Sequence, residues 1–275
     1  LSNFSKKKTN LLLVDISSIA FRYYKNPDSM VEGLASMIYS FAGSYGAKDI
    51  VACCDYGKSS YRMSEYAEYK SNRADKKKER TPEEQESIDH YYNCQKLAIE
   101  TLPSQGIKVL QQYGVEADDL IGYMVNNYSD NYEHTWILSA DKDFMSLLSE
   151  RVSQFSTTQS KTFDLEYLKR ELDCDPPTFL RALILSGDKI DGIPGYYLVG
   201  EPKKPTSRSL VYARMGESYS SICEQIKKKP KIGKIDQFIL DNPDIYERNI
   251  KLIELHSEVL TDKQKDYIVE TISGS

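Results

Sequence analysis

LLLVD, residues 11–15, is a short apolar run that ends in an acid, and it reads as a buried strand. DIVACCD at 49–55 and HTWILSAD at 134–141 have the same form. Between the three lie segments with helical spacing: SMVEGLASMIYSFAGSYG (29–46), EEQESIDHYYNCQKLAIETL (83–102) and EADDLIGYMVNNY (116–128). Short strands alternating with amphipathic helices predict an α/β fold, with a central, mainly parallel sheet flanked by helices. In such sheets ligands bind outside the carboxyl ends of the strands. Asp15, Asp55 and Asp141 each close a predicted strand, so three strands deliver a carboxylate to one edge. Aspartate is also a common turn residue, which accounts for any one of them alone but less well for all three.

With 275 residues the chain can form one large domain or two smaller ones around a substantial core. Hydrophobic residues make up 40% and charged residues 28%, a globular rather than a disordered balance. No apolar run approaches the roughly 20 residues that span a bilayer, and LSNFSKKKTN followed only by LLLV is a poor secretory signal. The missing initiator Met implies a processed or trimmed chain. Five cysteines without paired spacing argue against a disulfide framework and against a zinc site. The three histidines, His90, His134 and His256, are scattered, which argues against a hydrolase built on histidine ligands. A cytoplasmic protein without membrane attachment is the expectation.

The net charge is −5, yet the basic residues are clustered. Lys58, Arg62, Lys70, Arg73, Lys76, Lys77, Lys78 and Arg80 lie in one segment, and Lys227, Lys228, Lys229, Lys231 and Lys234 in another. Clustered cations favour a polyanionic partner whatever the sum. Residues 57–82 have too few apolar positions to pack a core and read as a mobile insertion at the sheet edge, with charged stretches able to form helix. From Pro176 onward the chain is helical and punctuated by DGIPG.

The acids Asp15, Asp55, Glu116, Asp118, Asp119, Asp141, Asp143, Asp188 and Asp191 all fall at strand ends or helix starts. Those of GVEADDLIGY (114–123) could simply complement a helix N-terminus. If the nine converge, mutual repulsion calls for cations. Carboxylates without His or Cys select hard divalent ions, Mg²⁺ or Mn²⁺, and two such ions are a common device for phosphodiester hydrolysis. SADKDF (139–144) alone is a weak motif, shared with phosphatases and plain helix caps. SGDKIDGIPG (186–195) is more particular, because an acid pair precedes a tight hairpin. Hairpins of this kind can hold a phosphate or a monovalent cation such as K⁺ through backbone atoms.

The ordered series LLLVD, CCDYGKSSYR, EYKSNR, GVEADD, SADKDF and GDKIDGIPG resembles the 5′-nuclease (flap endonuclease) family, in particular its free-standing phage members, over roughly residues 10–200. Each motif is unspecific; six in order are not. The resemblance implies a single nuclease domain over 1–275, with a helical arch insertion at about 57–82. It also implies a helix-hairpin-helix-like, three-helix DNA-binding element at about 176–230. Asp15, Asp55, Glu116 and Asp118 match the acids of a first metal cluster. Asp119, Asp141, Asp143, Asp188 and Asp191 match a second. Lys70 and Arg73 match arch residues that contact the scissile phosphate, and with Asp118 and Asp141 they form the implied catalytic group. Lys58, Arg62, Tyr69, Lys203, Lys204 and Arg208 are the further DNA-contacting expectations. The stretch DGIPGYYLVGEPKKPTSRSL is longer than the family's hairpin and carries Pro202.

The implied activity is a two-metal-ion 5′-3′ exonuclease and flap endonuclease acting on branched or 5′-ended DNA, extending to RNA primers paired with DNA. Such a chain would work as a monomer, separate from any polymerase and alongside replication proteins. A non-catalytic junction-binding scaffold predicts missing acids. A PIN-like ribonuclease predicts no GDKID hairpin and no basic insertion. A phosphatase using Asp141 as nucleophile leaves the basic segment without a use.

Overall fold

The computed structural model describes residues 9–71, 80–199 and 205–274. Its strands are β1 (Asn10–Asp15), β2 (Ala47–Cys54), β3 (Lys108–Gln111), β4 (Thr135–Leu138), β5 (Val152–Ser156) and β6 (Lys161–Phe163). In chain order the helices begin with α1 (Ile16–Ala20), α2 (Asp28–Ser44), α3 (Ser60–Glu65), α4 (Pro82–Thr101), α5 (Ala117–Tyr128) and α6 (Leu165–Leu172). They continue with α7 (Pro176–Ser186), α8 (Pro205–Ala213), α9 (Tyr219–Lys227), α10 (Lys234–Asp241), α11 (Pro243–Ile253) and α12 (Asp262–Ser273). The chain divides into two compact units, one of Leu1–Lys58, Arg80–Phe163 and Leu255–Ser275, the other of Ser59–Glu79 and Asp164–Glu254.

The first unit is the sheet unit, with strand order β3-β2-β1-β4-β5-β6. All pairings are parallel except the antiparallel β5–β6 edge. Alternate residues explain the unbroken apolar run of β1. Leu12 and Val14 join Ile50, Ala52 and Leu138 under α2 and α4, whereas Leu11 and Leu13 join Val51, Leu110 and Ile137 under α5 and α12. A strand covered on both faces has no use for polar alternation. Residues 255–274 return to this unit: Gln112 Nε2 donates to Gln264 O at 3.1 Å, and Asn126 Nδ2 donates to Leu255 O at 2.8 Å. A Cβ at Gly122 of α5 would stand 2.7 Å from Leu255 Cβ, so this close approach requires glycine. The expected α/β architecture is therefore present, and the direction of strand numbering reverses between β1 and β4.

Two boundaries differ from the sequence reading. β2 ends at Cys54 and β4 at Leu138, so Asp55 and Asp141 sit just past their strands rather than in them. The short β3, β5 and β6 carry polar residues among their apolar ones and gave no sequence signal.

In the second, helical unit α7, α8 and α9 occupy the region expected to be three-helical, and α3 lies within the 57–82 insertion. After α7 the chain makes a tight hairpin in which Asp188 N donates to Ile193 O at 2.9 Å and Ile193 N to Asp188 O at 2.7 Å. Gly195 is obligatory there, because a Cβ would lie 2.0 Å from Ser186 O. Asn249 of α11 fixes the turn by donating through Nδ2 to Ile184 O at 2.9 Å and to Pro194 O at 2.7 Å. Of the segment 246–260, with its helical apolar spacing, Tyr246, Leu252 and Ile253 are buried in this unit, whereas Leu255, Val259 and Leu260 are buried in the sheet unit.

Candidate active site

The strand order reverses between β1 and β4, and the carboxyl ends of strands at such a reversal are the usual ligand position in doubly wound folds. Asp15 ends β1, and its Oδ1 accepts from Ser18 N at 3.1 Å. Its Oδ2 accepts from the Ser139 hydroxyl at 2.7 Å. The same Ser139 Oγ accepts from Asp141 N at 3.0 Å, which ties the loop after β4 to β1. Ser18 Oγ accepts from Ala140 N at 2.7 Å, and Asp143 N donates to Asp141 Oδ1 at 2.9 Å. Gln154, wholly buried in β5, holds the loop by donating to Ser139 O at 2.9 Å and to Asp141 O.

Asp55 connects this network to α5. Its Oδ2 accepts from the Ser17 hydroxyl at 2.6 Å, and its Oδ1 accepts from Ala117 N, the first helical N–H, at 2.8 Å. The helix is thus capped from β2. Glu116, at the N-cap position, makes no side-chain cap hydrogen bond. Glu116, Asp118 and Asp119 instead bring one oxygen each within 4.8 Å of one another. Glu116 is 4% exposed and Asp119 only 1%. Helix capping therefore does not explain the crowding of acids in GVEADDLIGY.

Burial raises the Asp15 carboxyl to about 7, against hydrogen bonds from Ser139 and Ser18 that favour its ionised form; the negative charges of Asp55 and Asp141 raise it further. A buried carboxylate of this kind is disfavoured as a lone anion, and a nearby divalent cation would favour its ionised form. The donor chemistry fits a hard ion: oxygen ligands only, with one hydrogen bond on each oxygen of Asp15 and Asp55 and so a lone pair left on each. Burial also pushes the neighbouring Cys53 and Cys54 thiols up, so they remain neutral and apolar beside the acids.

In the helical unit Asp188 Oδ1 accepts from Ile190 N at 2.7 Å and from Asp191 N at 3.3 Å, so it builds the turn. Asp191 pairs with Lys70, whose Nζ is 3.4 Å from Asp191 Oδ2 and whose backbone N donates to Asp191 O at 2.8 Å. Lys70 is 8% exposed and adopts φ +54°, a conformation that costs energy for a residue other than glycine. It is not a solvated surface lysine.

Two residues expected to contact DNA are buried in the structure. Arg62 is 2% exposed and donates through Nε to Leu252 O at 2.8 Å, so its guanidinium braces α3 against α11. Tyr69 is also buried, with the Lys70 ammonium 4.8 Å from its ring centroid, so it packs and is not presented for base stacking. The sequence motif CCDYGKSSYR gave no sign that its arginine points inward. Lys58 and Arg208 are exposed, whereas Arg73, Lys203 and Lys204 lie outside the described residues.

Ser17, Ser18, Ser139 and Gln154 are site residues that the sequence reading missed. The pair Ser17–Ser18 directly after Asp15 was the available signal: two hydroxyls in the first turn after an acid-terminated strand. Gln154 gave a fainter one, a lone amide in the strand VSQFS.

Residues 10–173 match the family model for the 5′-3′ exonuclease N-terminal resolvase-like domain. The flap endonuclease of Escherichia phage T5 is 33% identical over 201 residues, covering 70% of this chain and 67% of that protein. A crystal structure of the phage T5 flap endonuclease, in a pseudo-enzyme-product complex with DNA and metal ions, aligns with TM-score 0.82 and 29% identity, covering 96% of this chain and 99% of the other. A phage T5 5′-exonuclease with bound zinc aligns with TM-score 0.85 and 27% identity, over 96% of this chain and 98% of the other.

Proposed function

The chain belongs to the 5′-3′ exonuclease family, and from that premise we propose how its own residues carry out the hydrolysis. It is a metal-dependent, structure-selective 5′-nuclease that cleaves DNA at 5′ flaps and 5′ ends. The carrying observation is the carboxylate edge, in which Asp15, Asp55, Glu116, Asp118, Asp119, Asp141 and Asp143 share one hydrogen-bonded frame at the chain reversal of the sheet. These seven would hold the divalent ions, Mg²⁺ or Mn²⁺, with Asp118 and Asp141 nearest the chemistry. Asp188 and Asp191 would add to a second cluster at lower energetic weight, since one builds a turn and the other faces Lys70. When bound, such ions polarise the phosphodiester and acidify water.

The protein's own part is orientation and charge. Ser17, Ser18 and Ser139 fix the rotamers of Asp15 and Asp55 and leave outward lone pairs. Lys70 supplies a cation against the negative charge that grows on the phosphate in the transition state, with Arg73 as its partner in that role. Lys58, Lys203, Lys204 and Arg208 take backbone phosphates, a contribution that falls as salt rises. Replication intermediates carrying 5′ flaps, RNA primers paired with DNA among them, are the substrates this reading favours. A K⁺ ion at the hairpin after Asp191, a monomeric state, cooperation with replication proteins and a cytoplasmic location complete it. No helix among the described residues is long and apolar enough to cross a membrane.

The test is cleavage of a 5′-labelled flap duplex with Mg²⁺ or with EDTA, at several salt concentrations. Metal-dependent release of the flap is expected. Binding without cleavage would turn the reading to a junction-binding scaffold.

A further inference from the structure

Away from the carboxylate edge, the sheet unit carries a second cluster of a different kind. Asp28 opens α2, and His90 and Cys94 stand four residues apart on α4, hence on one helical face. Their donor atoms converge. His90 Nε2 is 3.0 Å from Asp28 Oδ1, and Cys94 Sγ is 3.8 Å from both. The cysteines of this chain have no paired spacing, so the sequence alone argues against a zinc site; the packing of α2 on α4 nevertheless brings three donor types together.

We propose that Asp28, His90 and Cys94 form a binding site for a borderline transition ion, Zn²⁺ or Co²⁺, that staples the start of α2 to the middle of α4. The triangle of donors has the dimensions of one face of a coordination tetrahedron. Bonds of about 2.0 Å to nitrogen and oxygen and about 2.3 Å to sulfur put the edges of such a face at about 3.3–3.6 Å. The observed edges of 3.0, 3.8 and 3.8 Å bracket that range, so small side-chain rotations suffice. The fourth position is left for water or an incoming ligand. Asp28 and His90 are 79% and 52% exposed at their side chains, which gives an ion access from solvent, while Cys94 is buried. A mixed thiolate, imidazole and carboxylate set discriminates against the hard Mg²⁺ that suits the all-oxygen edge.

A nucleophilic triad does not fit the same atoms. Such a relay passes through both ring nitrogens of the histidine, whereas here Cys94 and Asp28 approach the same Nε2. Burial, with the adjacent Asp28 charge, also raises the Cys94 thiol, the reverse of what an activated cysteine needs. A bound cation would remove that proton and use the sulfur as a ligand.

The experiment titrates the metal-stripped full chain with Co²⁺ in excess Mg²⁺, which occupies the hard carboxylate set. The readout is the sulfur-to-cobalt charge-transfer absorption together with the visible bands of tetrahedral Co²⁺. The expected result is saturation at one equivalent, with the signal displaced by Zn²⁺ and absent in Cys94→Ala. His90→Gln, a substitution at a half-exposed position that leaves the fold at little risk, should weaken Co²⁺ by at least about 100-fold, because even the partners of metal ligands are worth 10–100-fold. Mg²⁺-dependent flap cleavage should be unchanged in His90→Gln. No sulfur-to-cobalt band in the folded protein would overturn the proposal. So would a band of native strength in His90→Gln, which would assign the signal to another cysteine. Absence of nuclease activity in the native chain, by contrast, would count against the carboxylate edge and leave the cobalt result to decide this site.

Discussion

The acids of the sheet unit and those of the helical unit are the same residue type in similar sequence settings, yet the two regions treat them differently. Each oxygen of Asp15 and Asp55 receives one neutral donor, a serine hydroxyl or a backbone N–H, which orients it without cancelling its charge. In the hairpin, Asp188 spends one oxygen on two backbone N–H groups, and Asp191 faces the resident ammonium of Lys70. The first arrangement stores negative charge; the second discharges it. The partner of a carboxylate therefore tells more about its use than its place in a motif.

The largest expected effect tests that contrast directly. Asp119→Asn should lower single-turnover flap cleavage by on the order of 10³-fold, the scale of removing one preorganised electrostatic group. Asp191→Asn should lower it by only about tenfold, because the lost charge was already balanced by Lys70. Equal losses would erase the distinction between the regions. Next in size is Gly195→Ala, whose methyl group would strike Ser186 O. It should cost about 3 kcal/mol by the scale of overpacking, read as a lower urea midpoint, while divalent-ion binding to the sheet unit persists.

The stored charge also predicts a pH dependence. The Asp15 carboxyl rises from 3.8 to about 7 on folding. Between those values the folded chain binds more protons than the unfolded one, so the metal-free protein loses stability as pH rises through that window, by up to about 1.4 kcal/mol per pH unit. Thermal melts in EDTA from about pH 4 to pH 8 should show the decline, Asp15→Asn should flatten it, and Mg²⁺ should oppose it. A flat profile in the native chain would remove the argument that burial, aided by Asp55 and Asp141, holds a proton on Asp15. Smallest is Ser17→Ala, expected to cost about 1 kcal/mol through its single hydrogen bond to Asp55 and to slow cleavage by less than tenfold; a larger loss would promote Ser17 from orienting group to direct participant.

The sheet and its edge were legible in the sequence because β1, β2 and β4 are apolar and acid-tipped, a pattern that needs only the next few residues to be read. β3, β5 and β6 were not, since each is short, mixed in polarity and defined by its neighbour in the sheet rather than by itself. The acids were legible as a set, but their separate duties were not. That Asp55 caps α5, or that Lys70 faces Asp191, is decided by contacts across 62 and 121 residues of chain. Arg62 shows the limit most plainly. A basic residue in a basic segment reads as a DNA contact, and only the packing of α3 on α11 turns it inward.

The return of residues 255–274 to the sheet unit has a consequence for how the protein comes into being. Leu255 seats against Gly122, on the helix whose first turn carries Asp118 and Asp119. During synthesis that helix waits for its partner until the whole intervening helical unit has left the ribosome. The acid-bearing core is therefore completed late, and a nascent chain released short of this point would present the carboxylates on an unfinished scaffold.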